Sequence, residues 1–312
     1  MLVLLYISVL PKMPADTTSP FTLRLDKFRK LLNKDKSGVR PRLILLILAN
    51  THDPEIAKGC AKDVRSIRKV FKHISKHADV GYCEIEISGN NYNRQNLLRA
   101  IDCIEPFNND VTIFYYSGHG FRYDKDARRK YPQIDLRAYN NKKKYNNIDF
   151  INKYTENLAV ILQLMRLRGG RVNIAIADCC NSNVPYKRGK ESHVEMDITS
   201  DLMPPVNKKM TKKLFTDEQH TVSILVSASQ RGQFAITDPK FGSIFTHYFT
   251  RALSTVLSRK PEEGQYLPWR QLLDKVAEQT FRLSKSYDIG GGKPGHQQAI
   301  FEILIEDERG LG

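Results

Sequence analysis

RVNIAIADCCNS, residues 171–182, is the stretch that decides the fold of this 312-residue chain. Its small and β-branched side chains over Val172–Ala177 predict a strand buried on both faces, which is typical of the middle of a parallel sheet. The strand ends in a carboxylate and two thiols, Asp178, Cys179 and Cys180. Because open α/β sheets bind ligands at the carboxyl edge of their strands, we expect reactive groups at this edge.

A second stretch has the same design. Residues 111–116, VTIFYY, predict a buried strand, and Ser117-Gly118-His119-Gly120 follow it at once. The glycines allow a sharp turn and a close approach by a substrate. If the two strands are neighbours, an imidazole faces a thiol, and a histidine can generate a thiolate nucleophile and later protonate the leaving group.

These two motifs, YSGHG at 116–120 and ADCCNS at 177–182, resemble those of the caspase-like cysteine peptidases. The resemblance is strongest to the metacaspase and bacterial branches, and it covers residues 42–305. It implies that His119 is the general base and Cys180 the nucleophile, with Cys179 at a variable position. It further implies an oxyanion hole built from the backbone amides of Gly120 and Cys180, where losing one donor commonly costs about 10²–10³ in rate.

The same resemblance implies an α/β fold, with a mainly parallel six-stranded sheet and helices on both faces. The alternation of strand and helix patterns along the chain agrees with that architecture. Strands are predicted at 42–48, 82–88, 111–116, 171–177, 221–227 and 298–305. Helices are predicted at 56–78, 93–104, 155–168, 243–257 and 267–283. The strand at 82–88 alternates apolar and polar residues, so we expect it near an edge of the sheet.

Substrate preference follows from two carboxylates that the resemblance places near one pocket. Asp178 matches the family residue in the pocket for the side chain before the scissile bond. Asp63 ends the sequence GCAKD at 59–63, which resembles the family's Gly-Cys-x-Asn-Asp. Two carboxylates would bind a guanidinium or ammonium group. We therefore expect cleavage after Arg or Lys, whereas an aspartate-selective caspase would need a basic pocket.

The motif after the nucleophile departs from the family pattern at two positions. Asn181 replaces a histidine and Asn183 a glycine. Residues 186–190, which include three basic side chains, occupy the region where metacaspases often carry acidic calcium ligands, and there is no loop of EF-hand type. The five cysteines show neither a CxxC spacing nor a disulfide framework. We expect no metal ion and no cofactor.

The composition leaves alternatives open. The net charge is +15, which is typical either of a solvated surface or of a protein with an anionic partner such as nucleic acid. The peptidase hypothesis requires a polypeptide substrate. Its alternative is a catalytically weak caspase-like scaffold whose basic surface holds an anionic partner. A flavodoxin-like binding protein is a third hypothesis, but it leaves His119 and Cys180 unexplained. The oligomeric state is not predicted.

We divide the chain into a terminal segment at 1–40, a peptidase domain at 41–305 and a tail at 306–312. The first ten residues are apolar but too short to span a bilayer, and they lack a basic start and a clear cleavage site. They are the remnant of an export signal or an apolar tail, so a cytoplasmic and an exported protein both fit. A linker at 11–20 and a helical stripe at 21–33 follow.

Two long segments interrupt the regular pattern. Residues 121–154 are basic and rich in tyrosine, and they predict a surface insertion with a small hairpin at 133–137. Residues 183–220 have no sustained apolar period and are rich in lysine, so we expect an irregular loop. Basic residues in an exposed loop would suit the proposed specificity, and the loop at 183–220 is therefore a candidate site of self-processing.

Overall fold

A computed structural model describes most of the chain. The described residues are 19–34, 40–122, 130–137, 148–182, 203–215, 220–238, 241–261, 268–288 and 293–307. They form eight α-helices: α1 (Pro20–Lys34), α2 (Ala57–Ala78), α3 (Arg94–Asp102), α4 (Ile148–Tyr154), α5 (Leu158–Arg168), α6 (Lys208–Phe215), α7 (Ile244–Ser258) and α8 (Pro268–Ser284). None of these helices is both long enough and apolar enough to cross a bilayer.

The strands build one large sheet and two small ones. The strands of the described residues are β1 (Arg42–Ala49), β2 (Gly81–Ser88), β3 (Val111–Ser117), β4 (Gly120–Phe121), β5 (Gln133–Asp135), β6 (Thr155–Asn157), β7 (Val172–Asp178), β8 (His220–Ser227), β9 (Thr237–Asp238), β10 (Gly242–Ser243) and β11 (Ile300–Asp307). The large sheet has the order β11-β8-β7-β3-β1-β2. All neighbours in it are parallel except β11, which runs antiparallel to β8.

This architecture confirms the predicted mainly parallel six-stranded sheet with helices on both faces. The three apolar strands β1, β3 and β7 are buried along their whole length and lie next to one another in the sheet. The alternating strand β2 lies at an edge, as its pattern predicted. Apolar runs occupy the middle because a parallel sheet covered on both faces offers strands no solvated side.

Two helical layers cover the sheet. One core layer contains apolar side chains of α2, α6, α7 and α8, and the other contains those of α1, α3 and α5. Successive side chains of a strand point to opposite faces, so Tyr115 packs in the first layer and Tyr116 in the second. We call these the α2 layer and the α5 layer.

The insertion after β3 differs in detail from the prediction. Residues 133–137 do not form a hairpin by themselves, because β5 is the middle strand of a three-stranded antiparallel sheet between β4 and β6. The helix predicted from residue 155 begins at Leu158 instead. The side chain of Asn157 accepts a hydrogen bond from the amide of Ala159, at 3.0 Å, and so caps the first turn.

The prediction of an irregular loop over 183–220 is wrong at its C-terminal end, where α6 forms. Met210, Leu214 and Phe215 are buried in the α2 layer, and the Trp269 indole donates a hydrogen bond to the carbonyl of Leu214 at 2.9 Å. Four lysines of the predicted processing loop lie on this helix, namely Lys208, Lys209, Lys212 and Lys213. The other three basic residues, Lys187, Arg188 and Lys190, lie outside the described residues, so self-processing stays a prediction.

Candidate active site

The His119 and Cys180 turns lie side by side at the carboxyl edge of the large sheet. Strands β3 and β7 are parallel neighbours, with Ser117 paired to Asp178 at their last position. His119 and Cys180 each follow that pair by two residues. The amide of Gly118 donates to the carbonyl of Asp178 at 3.3 Å, which ties the start of one turn to the end of the other strand. Neighbouring parallel strands thus place an imidazole and a thiol at equivalent positions.

Close packing explains the glycines that flank His119. A Cβ atom on Gly118 would lie 2.5 Å from the hydroxyl oxygen of Tyr116. One on Gly120 would lie 2.4 Å from the sulfur of Cys179 and 2.6 Å from the carbonyl oxygen of Cys180. The backbone on both sides of His119 therefore approaches its neighbours more closely than any side chain permits.

The carbonyl of His119 is held by two donors. The hydroxyl of Tyr116 donates to it at 2.6 Å, and the amide of Asp135 donates to it at 3.0 Å. Tyr116 is itself fully buried in the α5 layer. The main chain at the candidate base is therefore fixed from the core below it and from the small sheet beside it.

Strand alternation separates the two adjacent thiols. Asp178 faces the α2 layer, where it contacts Thr246, whereas Cys179 points into the α5 layer and is 1% exposed. Burial, followed by the neighbouring charges of Cys180 and Asp178, raises the pKa of the Cys179 thiol well above its usual value. Cys180 is only half-buried, and the amide of Ala235 donates to its sulfur at 3.4 Å.

A carboxylate that sequence reasoning missed contacts the imidazole. The Nε2 atom of His119 lies 2.6 Å from Oδ2 of Asp53, in the turn that follows β1. The His119 side chain is 40% exposed and that of Asp53 is 11% exposed. A carboxylate only accepts hydrogen bonds, so Nε2 carries the proton in this contact and Nδ1 is left as the basic nitrogen of the neutral ring.

Ladder geometry frees one of the two amides expected in the oxyanion hole. In the antiparallel pair of β4 and β5, the amide of Asp135 bonds to the carbonyl of His119, so these two residues form a hydrogen-bonded pair. Such pairs alternate with non-bonded ones along an antiparallel ladder. Gly120 and Ile134 come next and form a non-bonded pair. The amide of Gly120 therefore points away from β5.

Asp63 and Asp178, the two predicted substrate-binding carboxylates, lie close together in the α2 layer. Oδ2 of Asp63 accepts from the hydroxyl of Ser117 and Oδ1 from the amide of Ser243, both at 2.8 Å. Oδ2 of Asp178 accepts from the hydroxyl of Thr246 at 2.6 Å. Since that hydroxyl spends its one proton on Asp178, the contact between Tyr115 and Thr246 is donated by Tyr115.

Burial dominates the electrostatics of this pair. Asp63 is 1% and Asp178 4% exposed. Burial raises the pKa of Asp178 to about 6, although the hydrogen bonds from Thr246 oppose the shift. Burial and then the negative charge of Asp178 raise the pKa of Asp63 well above its usual value. Two like charges in a water-poor site favour the protonated form, so this pair holds a proton over part of the acidic range.

Comparison with known proteins agrees with the fold and the motifs. The profile of the caspase domain, peptidase family C14, matches residues 42–298. The chain belongs to the caspase family. A search of solved structures finds caspase-1 from Spodoptera frugiperda at 12% identity and a TM-score of 0.48, covering 85% of this chain and 88% of that one. No curated protein sequence matches.

This caspase-family chain stabilises the turn after Cys180 with Asn181, the residue that departs from the metacaspase pattern. Asn181 is fully buried. Its amide donates to the carbonyl of Gln233 at 2.9 Å, its carbonyl accepts from the amide of Gly232 at 2.7 Å, and its side chain donates to the carbonyl of Lys130 at 2.9 Å. The substitution therefore ties the nucleophile turn to residues 229–235, whereas Asn183 lies outside the described residues.

One histidine pair also went unnoticed in the sequence. His73 and His77 stand one helical turn apart on α2, with ring centroids separated by 4.2 Å. A ring nitrogen of each contacts a backbone carbonyl, that of Pro204 for His73 and that of His73 for His77. Within the described part of the chain, no group of three His, Cys, Asp or Glu side chains is arranged to hold a metal ion.

Proposed function

We propose that this chain is a cysteine endopeptidase that hydrolyses peptide bonds after Arg or Lys, with Cys180 as nucleophile and His119 as base. The observation that carries the proposal is the equivalent position of the two side chains, each two residues beyond a paired position of β3 and β7. The half-buried state of Cys180 and the basic Nδ1 of His119 support it. Family membership supports cysteine peptidase chemistry in general.

The reaction proceeds by acyl transfer to sulfur. Nδ1 of His119 takes the proton of the Cys180 thiol, and the thiolate attacks the carbonyl carbon of the scissile bond. The amides of Gly120 and Cys180 stabilise the oxyanion. The C–N bond then breaks as the imidazolium returns its proton to the leaving amine. In the second half a water molecule, deprotonated by His119, hydrolyses the thioester, releases the carboxylic acid and restores the thiol.

The Asp63–Asp178 pair supports the preference for a basic side chain. Among the residues that the structure describes, no Lys or Arg forms an ion pair with either carboxylate. An entering guanidinium would supply the missing counter-charge and allow both groups to ionise. Because both are almost fully buried, such a side chain reaches them only when the segment around β10, whose Ser243 amide bonds to Asp63, moves aside.

An activity-based probe tests the proposal. A peptidyl acyloxymethyl ketone with Arg next to the warhead should label the wild-type protein, and intact mass and peptide mapping should place the adduct on Cys180. Cys180→Ala and His119→Ala should lose labelling and peptide hydrolysis by at least about 10³-fold. Cys179→Ala is the matched control, since it removes the adjacent buried thiol and should keep both activities. Hydrolysis that survives in Cys180→Ala would overturn the assignment.

Self-processing between Cys180 and β8 is the second part of the proposal. β7 and β8 are hydrogen-bonded neighbours, so a chain cut between them keeps both halves in one sheet. Incubated wild-type protein should give two fragments that stay associated on a sizing column but separate in a denaturing gel. Identical cuts in Cys180→Ala would assign them to another protease.

A further inference from the structure

Asp53 makes a contact that the two-residue mechanism does not use. Its Oδ2 atom lies 2.6 Å from Nε2 of His119, within the range of a charge-assisted hydrogen bond. The contact joins the turn after β1 to the turn after β3. β1 and β3 are parallel neighbours, so the carboxylate reaches the imidazole from a third turn at the same edge of the sheet.

We propose that Asp53 is a positioning residue that holds the proton on Nε2 of His119, keeps Nδ1 available to Cys180 and stabilises the imidazolium. The proposal rests on the proposed function, in which His119 activates Cys180. A thiolate beside an imidazolium is an ion pair, and a negative charge on the far side of the ring favours its charged form. Asp53 therefore lowers the pKa of the Cys180 thiol by acting through His119.

The turn around Asp53 holds the carboxylate in place before any substrate arrives. Its second oxygen, Oδ1, accepts from the amide of Glu55 at 2.9 Å. Its own amide donates to the side-chain oxygen of Asn50 at 3.2 Å, and its carbonyl accepts from the amides of Ile56 and Ala57 at 3.1 and 2.7 Å. A carboxylate fixed at the start of α2 gives the imidazole one orientation at little cost in entropy.

Other titratable groups near His119 do not take this place. The Tyr116 hydroxyl and the Asp135 amide bond to the carbonyl of His119, whereas the Asp135 carboxylate pairs with Arg137. Cys179 faces the opposite layer. The groups that set the charge of this imidazole are therefore Asp53 on one side and Cys180 on the other.

The test measures the thiol directly, without peptide hydrolysis. The rate at which iodoacetamide alkylates Cys180, followed by peptide mass, is recorded from pH 5 to 10 for the wild type and for Asp53→Asn. The amide of Asn can donate to Nε2 and favour the wrong tautomer. We expect alkylation at pH 7 to fall at least about tenfold, with the midpoint of the profile moved about one unit toward the value near 8.5 of a free cysteine.

Two further variants separate positioning from folding and from charge in general. Asp53→Ser keeps a side-chain oxygen for the Glu55 amide but cannot reach His119, so it should repeat the alkylation defect with a near-native Tm. Glu55→Gln removes a charge from an exposed position of the same turn and should stay within about twofold of wild type.

Folded Asp53→Asn and Asp53→Ser proteins with the wild-type alkylation profile would overturn the proposal, and so would an equal defect in Glu55→Gln. Alkylation of Cys180 does not depend on cleavage of any peptide. A protein with no peptidase activity but with an alkylation profile that depends on Asp53 would refute the proposed function and leave this inference standing.

Discussion

Asp53 and the Asp63–Asp178 pair are two acidic groups at one edge of the sheet with opposite electrostatics. Asp53 is held 2.6 Å from an imidazole whose side chain is 40% exposed. Asp63 and Asp178 are almost fully buried and face each other rather than a cation. The first carboxylate has a partner that can be positive, so it is stable as an anion, whereas the second site crowds two anions where water cannot solvate them.

The difference teaches how similar side chains acquire different tasks. A carboxylate with a cationic partner acts on that partner, here by setting the proton position of His119. A pair of buried carboxylates without one stores unfavourable energy that only an incoming cation or a proton relieves. The contrast can be broken by neutralising the buried pair, and it can be sharpened by varying the pH or by removing one hydrogen bond.

Neutralising the buried pair should have the largest effect. Asp178→Asn removes a charge that an arginine side chain would meet, and losing one partner of a buried charge pair costs about 2–5 kcal/mol. We expect kcat/KM for a peptide with Arg before the scissile bond to fall by about 10²-fold. Alkylation of Cys180 by iodoacetamide, which needs no pocket, should change by less than about threefold.

Asp135→Asn is the matched control for this experiment, because its carboxylate lies near the same edge but pairs with Arg137. It should keep the preference for Arg. Equal losses for Arg and for apolar substrates in Asp178→Asn would show that the pair is structural and that the pocket assignment is wrong.

Central parts of the fold were predictable because their signals are local. The apolar runs of β1, β3 and β7 are buried on both faces, so each announces itself in a window of seven or eight residues. Helix α6 was not predictable from such a window. Its three buried apolar residues stand among lysines, and their burial depends on packing in the α2 layer with Trp269.

The candidate site divides in the same way. The His119 and Cys180 turns follow their strands directly, so motif and strand end coincide in the sequence. The contact between Asp53 and His119 joins positions 66 residues apart, and it depends on how the chain turns after β1. A carboxylate four residues beyond a buried strand was the signal on offer, but the residue type alone also fits an ordinary cap of α2.

The pH dependence of stability should sharpen the contrast by an intermediate amount. Asp178 titrates near 3.8 when it is unfolded and near a pKa of about 6 when it is folded. Between these values the folded state keeps a proton that the unfolded state has lost. The stabilising contribution is therefore complete below about pH 4 and is lost as the pH rises through about 6. At about 1.4 kcal/mol per unit, the loss amounts to about 3 kcal/mol.

Urea denaturation of wild type and Asp178→Asn at pH 4, 5, 6, 7 and 8 measures this loss. The free energy of unfolding of the variant, relative to wild type, should rise by about 3 kcal/mol between pH 4 and pH 8. Other titrating groups contribute equally to both proteins and cancel in the difference. A difference that stays constant across this range would mean that Asp178 keeps the pKa of an ordinary carboxyl.

The smallest effect should come from one hydrogen bond of the pair. The hydroxyl of Ser117 donates to Oδ2 of Asp63 at 2.8 Å, and Ser117→Ala removes it. Ser227→Ala is the matched control, since that hydroxyl is equally buried but donates at 2.8 Å to a neutral carbonyl, that of Ser229. A hydrogen bond to an ionised group contributes about 1.5–3 kcal/mol, and a neutral one about 1 kcal/mol.

We therefore expect Ser227→Ala to lower the free energy of unfolding by about 1 kcal/mol at every pH. Ser117→Ala should cost about as much at pH 4, where the pair is protonated, and about 1 kcal/mol more at pH 8, where the pair carries negative charge. The measurement is urea denaturation of both variants and wild type at the two pH values. A cost of Ser117→Ala that does not grow with pH would mean that Asp63 and Asp178 keep their proton even at pH 8. In that case only an incoming cation, and not a rise in pH, ionises the pair.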